Sequence, residues 1–147
     1  MNNSTKNLKG FTLIEILVVV ALIAILAAIT IIAINPQQNF QDARNTQRSS
    51  DVTQILNAVT QYTAQQGNAI GDLGTIPGCT TSASCVGTDT ACVDLATNLV
   101  PTYLVAIPTD PQTGAAADTG YTICQEASGR VTVSAPDAEG TTISVSR

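Results

Sequence analysis

The chain has 147 residues, 44 % of them apolar, with only 12 % charged and a formal net charge of −5. Twenty-one apolar residues fall within the 24-residue stretch 11–34, so about a third of the apolar side chains occupy one segment. That concentration excludes an ordinary cytosolic globule, and the sparse basic groups exclude nucleic-acid binding driven by counterion release.

Residues 1–10, MNNSTKNLKG, form a short polar leader that carries Lys6 and Lys9 and no acid. The remaining residues set four arginines against all eleven acids, net −7. As a helix, 11–34 would extend roughly 36 Å, enough to cross the hydrocarbon layer of a bilayer. It outruns the 7–15 apolar residues of a cleaved secretory signal, so retention as an anchor is expected. Positive charge before the span and none just after it place the N-terminus in the cytoplasm and the C-terminus outside.

Only Thr30 interrupts the apolar run from Ile16 to Ile34, and its hydroxyl can return to a helix carbonyl. Pro36 lacks an amide donor and clashes with the carbonyl four residues earlier, so a kink is expected near 32–36. Over 35–66 the helix continues with a different character. Val52, Ile55, Leu56, Val59, Tyr62 and Thr63 recur at helical spacing, giving one apolar face that Gly67 and Asn68 bring to an end.

Residues 67–100 are rich in Gly, Thr, Ser and Ala and hold Cys79, Cys85 and Cys92; Cys124 lies later. An even cysteine count on the outer side of a membrane reads as two disulfides, and the absence of histidine and of any C-x-x-C excludes the usual zinc frameworks. Of the three possible connectivities, Cys79 with Cys85 and Cys92 with Cys124 is the expected one. Asp110 and Asp118 are the only calcium candidates, and their spacing fits no compact calcium loop, so solvated loop carboxylates are the expectation and no metal or cofactor is assigned. In 101–147, the runs Tyr121/Ile123, Val131/Val133/Ala135 and Ile143/Val145 alternate with Thr and Ser, which predicts three antiparallel strands. Their apolar face suits the helical stripe. Cys124 has the opposite parity and should strap the loop over the outer face or edge of the sheet. The fold class expected is α+β: a long N-terminal helix, half membrane-spanning and half amphipathic, on a small antiparallel sheet, with a disulfide-stapled loop between them.

Glu15 is a lone carboxylate near the start of an otherwise uncharged apolar helix. An acid there costs on the order of 2.5–3.5 kcal/mol at the membrane centre and less near an end, so it calls for a partner from another molecule. With the preceding Lys9-Gly10-Phe11-Thr12-Leu13-Ile14, this segment resembles the type III leader of type IV pilins and the related pseudopilins. The resemblance covers residues 9–34. It implies that a prepilin peptidase cuts after Gly10 and methylates the new amine of Phe11. It also implies that Glu15 compensates that amine during packing against a neighbouring subunit, and that an inner-membrane platform assembles the helical homo-oligomer. Many family members have proline where this chain has Ile32, and the late disulfide loop of major pilins is not clearly reproduced.

The function expected on this basis is a structural subunit of an extracellular pilus-like filament. Alternatives are a pseudopilin of a secretion or DNA-uptake machine, and a monomeric membrane-anchored binding domain. No enzyme is expected, because nothing in the sequence assembles an acid–base pair or an activated nucleophile.

Overall fold

The computed structural model describes residues 10–147, so most of the leader, with Lys6 and Lys9, lies outside the described residues. The chain divides into two compact units that meet at Asn39 and Phe40.

In the first unit, helix α1 runs over Leu13–Ile34. Its apolar residues occupy every side of the helix, and none of them is buried. Thr12, in an extended conformation, caps its N-terminus. Thr30 Oγ1 donates to the Ala27 carbonyl at 2.9 Å, as a threonine in an apolar helix requires. The helical run is interrupted at Asn35. Asn35 takes the left-handed conformation (φ 44°, ψ 72°), and Pro36 is the first residue of α2, which spans Pro36–Ala64. At that position the missing amide costs nothing, since the first turn of a helix has no internal acceptor for it. The Asn35 carbonyl accepts from the Gln38 and Asn39 amides, and Asn39 Nδ2 donates to the Ile34 carbonyl at 3.0 Å. The interruption expected near 32–36 is present, and it takes the form of a left-handed Asn35 between α1 and α2.

The second unit has its own core. The expected stripe of α2 is buried at Val52, Ile55, Leu56, Val59 and Tyr62, joined by Ala58, while Thr63 sits at its margin. Against it lies a four-stranded antiparallel sheet in the order β1-β2-β3-β4, with β1 at Ser84–Cys85, β2 at Thr122–Gln125, β3 at Val131–Ala135 and β4 at Ile143–Ser146. Ile123 faces Val133, which faces Val145, so one cross-strand row of β-branched side chains meets the helix. Tyr121, Leu73, Val86, Leu95 and Leu99 complete the core, the last of them from a four-residue helix, α3, at Ala96–Leu99.

Three of the strands are those the alternation predicts; β1 is the addition. Two residues are too short for any periodicity to register. The disulfides also differ from expectation: Cys79 pairs with Cys124 and Cys85 with Cys92. The reason lies in backbone pairing. The Cys79 amide donates to the Gln125 carbonyl and the Gln125 amide to the Pro77 carbonyl, which lays 77–79 along the outer edge of β2 and brings Cys79 beside Cys124. Likewise the Val93 amide donates to the Cys85 carbonyl, folding 85–93 back so that Cys92 reaches Cys85. Cys124 does strap the loop to the sheet, through Cys79.

Candidate functional site

The site indicated by the sequence is the start of α1. Gly10 and Phe11 precede the helix and are exposed, Phe11 at 84 %. The peptide between them therefore stands outside the helical hydrogen-bond ladder. One turn on, Glu15 and Thr12 form a capping box. The Thr12 amide and hydroxyl both donate to Glu15 Oε2 at 2.8 Å, and the Glu15 amide donates to Thr12 Oγ1 at 3.3 Å. This reciprocal arrangement satisfies two of the amides that every helix N-terminus leaves open. It also holds the carboxylate back toward residue 11, against the positive end of the helix dipole. Among the described residues Glu15 Oε1 accepts no hydrogen bond. The neighbouring surface, Phe11, Ile14, Ile16, Val18 and Val19, is apolar and open.

A second polar constellation, which the sequence did not reveal, lies in the other unit. Arg48 is completely buried. Its Nε donates to Asp110 Oδ2 at 2.6 Å and its Nη2 to Asp110 Oδ1 at 3.2 Å, and further bonds go to Gln112, Asn45 and Glu139. Arg44 grips both oxygens of Glu139 at 2.6 Å. Burial by itself would raise the Asp110 pKa. The Arg48 hydrogen bonds and the Gln112 and Thr113 amides outweigh it and hold the group at about 2. Glu139 is also held at about 2, chiefly by its hydrogen bonds to Arg44. Tyr121 donates to Asp51 Oδ2 at 2.7 Å inside the core, and burial with that carboxylate raises the phenol's pKa. The two arginines offset Asp110 and Glu139 and fasten α2 to the loops around 110 and 139. They form a structural clamp.

That clamp corrects the reading of Asp110 as a solvated loop acid or calcium ligand: its side chain is buried and both oxygens face Arg48. Asp118 Oδ1 is exposed and accepts from the Gly120 amide. Asp118 also approaches Cys85 and Cys92, but both sulfurs are spent in a disulfide and offer no thiolate to a metal. One signal for the clamp was present in the sequence. Arg48 lies one turn before Val52, in line with the buried stripe.

Residues 5–34 match a family model described as the prokaryotic N-terminal methylation motif. No curated protein and no solved structure matches the chain. The matched span contains the Gly10–Phe11 junction, the Thr12–Glu15 capping box and the whole of α1. The N-terminal segment is thus similar to the prepilin-type leader and methylation motif, the same segment that carries the resemblance to type IV pilins and pseudopilins.

Proposed function

We propose that the chain is a structural subunit of a type IV pilus-like filament. It inserts in the membrane with its N-terminus in the cytoplasm and its C-terminal unit outside. Prepilin peptidase cuts between Gly10 and Phe11 and methylates the Phe11 amine, and the assembly platform then extracts the subunit into a fibre.

The observation that carries this reading is that the methylation motif coincides with a helix in which no residue is buried. In the membrane, lipid covers α1. Outside it, at about 25 cal/mol per Å² and some 100 Å² for each large side chain, bare exposure would cost tens of kcal/mol. Burial among the α1 helices of other copies removes that cost. A head-to-tail contact that does not close on itself then generates a filament. The carboxylate of Glu15, held at the helix start by Thr12, supports the reading that it pairs with the cation created by cleavage. Because an unpaired charge in such a bundle is costly, the pair sets the register of neighbouring subunits more than it adds stability.

Mass spectrometry of the purified protein tests this proposal. A chain that begins at N-methylated Phe11 is expected; one that begins at Met1 overturns the reading. In cells, Glu15→Val is expected to leave membrane insertion intact and to abolish incorporation into fibres. Normal fibre yield from that variant would refute the charge-pair role.

A further inference from the structure

The two edges of the sheet are treated differently. The β2 side is covered twice, by 77–79 along Gln125 and by β1, and each covering segment is tied down by a disulfide. The β4 side is open. Val131 and Arg147 exchange both backbone hydrogen bonds, at 2.8 and 3.0 Å. Antiparallel alternation then makes Val145 and Ile143 the residues that bond to β3 and turns the amides and carbonyls of Thr142, Ser144 and Ser146 outward. These three make no turn or loop backbone bond among the described residues, and Thr142 and Ser144 are exposed. Natural edge strands are ordinarily blunted by being very short, as the four-residue β4 partly is, or by lysine, proline, a bulge or an inward charge. Residues 141–146, TTISVS, contain no lysine or proline and no charge at all.

We infer that the β4 edge is an interaction surface for the β4 edge of a second copy of this chain, paired antiparallel about a two-fold axis at Ser144. In that register Ser144 exchanges both hydrogen bonds with Ser144 of the second copy, and Thr142 bonds with its Ser146. Ile143 then lies beside Val145 of the second copy on the inner face, where both are already half-buried against the core. Arg147, whose guanidinium donates to Asn57 at 2.7 Å within its own copy, comes opposite Thr141, which lines one groove with the exposed Asp42 and with Glu139, so a basic residue is brought beside an acidic groove.

The area selects the setting. A pairing of two four-residue strands buries on the order of a few hundred Å², well below the roughly 1,200 Å² of a stable isolated interface. It holds where many copies are arrayed side by side, because the contacts then act together. The inference rests on the filament reading for that array, and its product is lateral association of filaments.

The test uses full-length processed filaments. Low-speed centrifugation collects bundles, and high-speed centrifugation collects all fibres. Wild type is expected to bundle. Ser144→Lys is expected to reduce the low-speed fraction at least tenfold with the high-speed yield unchanged. Ser144→Pro should do the same without loss of the sheet, since the amide it removes points away from β3. Ser144→Cys is expected to give a covalent dimer on mild oxidation, because paired residues with Cα atoms about 5.5 Å apart are within disulfide reach. Thr142→Cys, opposite Ser146, should not. Filaments that remain single, bundles that survive Ser144→Lys, or a Ser144→Cys chain that stays monomeric overturns the inference alone. A wild type that leaves nothing in the high-speed pellet overturns the filament reading and this inference with it.

Discussion

Arg48→Leu isolates the clamp that holds α2 to the rest of its unit. The substitution removes a fully buried guanidinium and leaves the Asp110 side chain, itself without solvent exposure, with only the Gln112 and Thr113 amides on Oδ1. Oδ2 loses its Arg48 donor. Breaking a buried pair in this way costs about 3–5 kcal/mol, a large share of the roughly 5–15 kcal/mol that keeps a domain folded. The titration of Asp110 points the same way, because Arg48 is the chief group that lowers its pKa. Its pKa falls from 3.8 to about 2, equivalent to about 2 kcal/mol of stability. Because the folded value is the lower one, that contribution is complete above pH about 4 and disappears as pH falls toward 2. Urea titration of the full chain in mild detergent reads both effects through tyrosine fluorescence, since the chain has three tyrosines and no tryptophan. The variant is expected to unfold at lower urea and to show a shallower decline between pH 4 and 2 than wild type, because the Asp110 share shrinks while the Glu139 share, held chiefly by Arg44, remains. Arg48→Leu with Asp110→Leu should recover most of the loss, because no charge is then stranded. A cost under about 1 kcal/mol for the single variant, or a double variant no better than the single, would refute the reasoning.

Gly114 lies against the same clamp. A Cβ there would stand 2.3 Å from the Asp110 amide nitrogen and 2.6 Å from the Thr119 carbonyl oxygen, both backbone atoms. Gly114→Ala is therefore expected to lower stability by about 1–3 kcal/mol, seen as a fall in Tm, and an unchanged Tm would count against this packing. The disulfides should differ in weight. The 45-residue separation of Cys79 and Cys124 predicts a loss of about 4 kcal/mol on their joint replacement by serine, against about 2 kcal/mol for Cys85 and Cys92, seven residues apart. Non-reducing peptide mapping checks the pairing itself, and a Cys79–Cys85 peptide would overturn it.

What was legible in the sequence divides by the range of the interaction that produces it. Periodicity is local, so the α2 stripe and the three longer strands could be read directly. The Glu15 anomaly was legible for the same reason: an acid stands out in a run with no other charge. The break at Asn35 was half legible. Pro36 announces an interruption, but whether proline kinks a helix or begins one depends on the residue before it, and Asn35 is among the few residue types that enter the left-handed region readily. The disulfide pairing was not legible, because it follows from main-chain bonds between Gln125 and 77–79, partners almost fifty residues apart that carry no side-chain signal.

Asp110 shows the same limit in the candidate sites. Flanked by Thr109 and Pro111, it has the local chemistry of a turn acid, and only the return of α2 one fold-length away supplies the guanidinium that buries it. The separation has a consequence for function. The segment that matches the methylation motif, through residue 34, is encoded almost entirely by local pattern. The outer unit is held by non-local contacts: the Arg48–Asp110 clamp, two disulfides and the α2–sheet core. Its surface is therefore free to vary without disturbing α1. In the proposed filament, cohesion would come from α1, and the features that distinguish this chain, the open β4 edge among them, belong to the other unit.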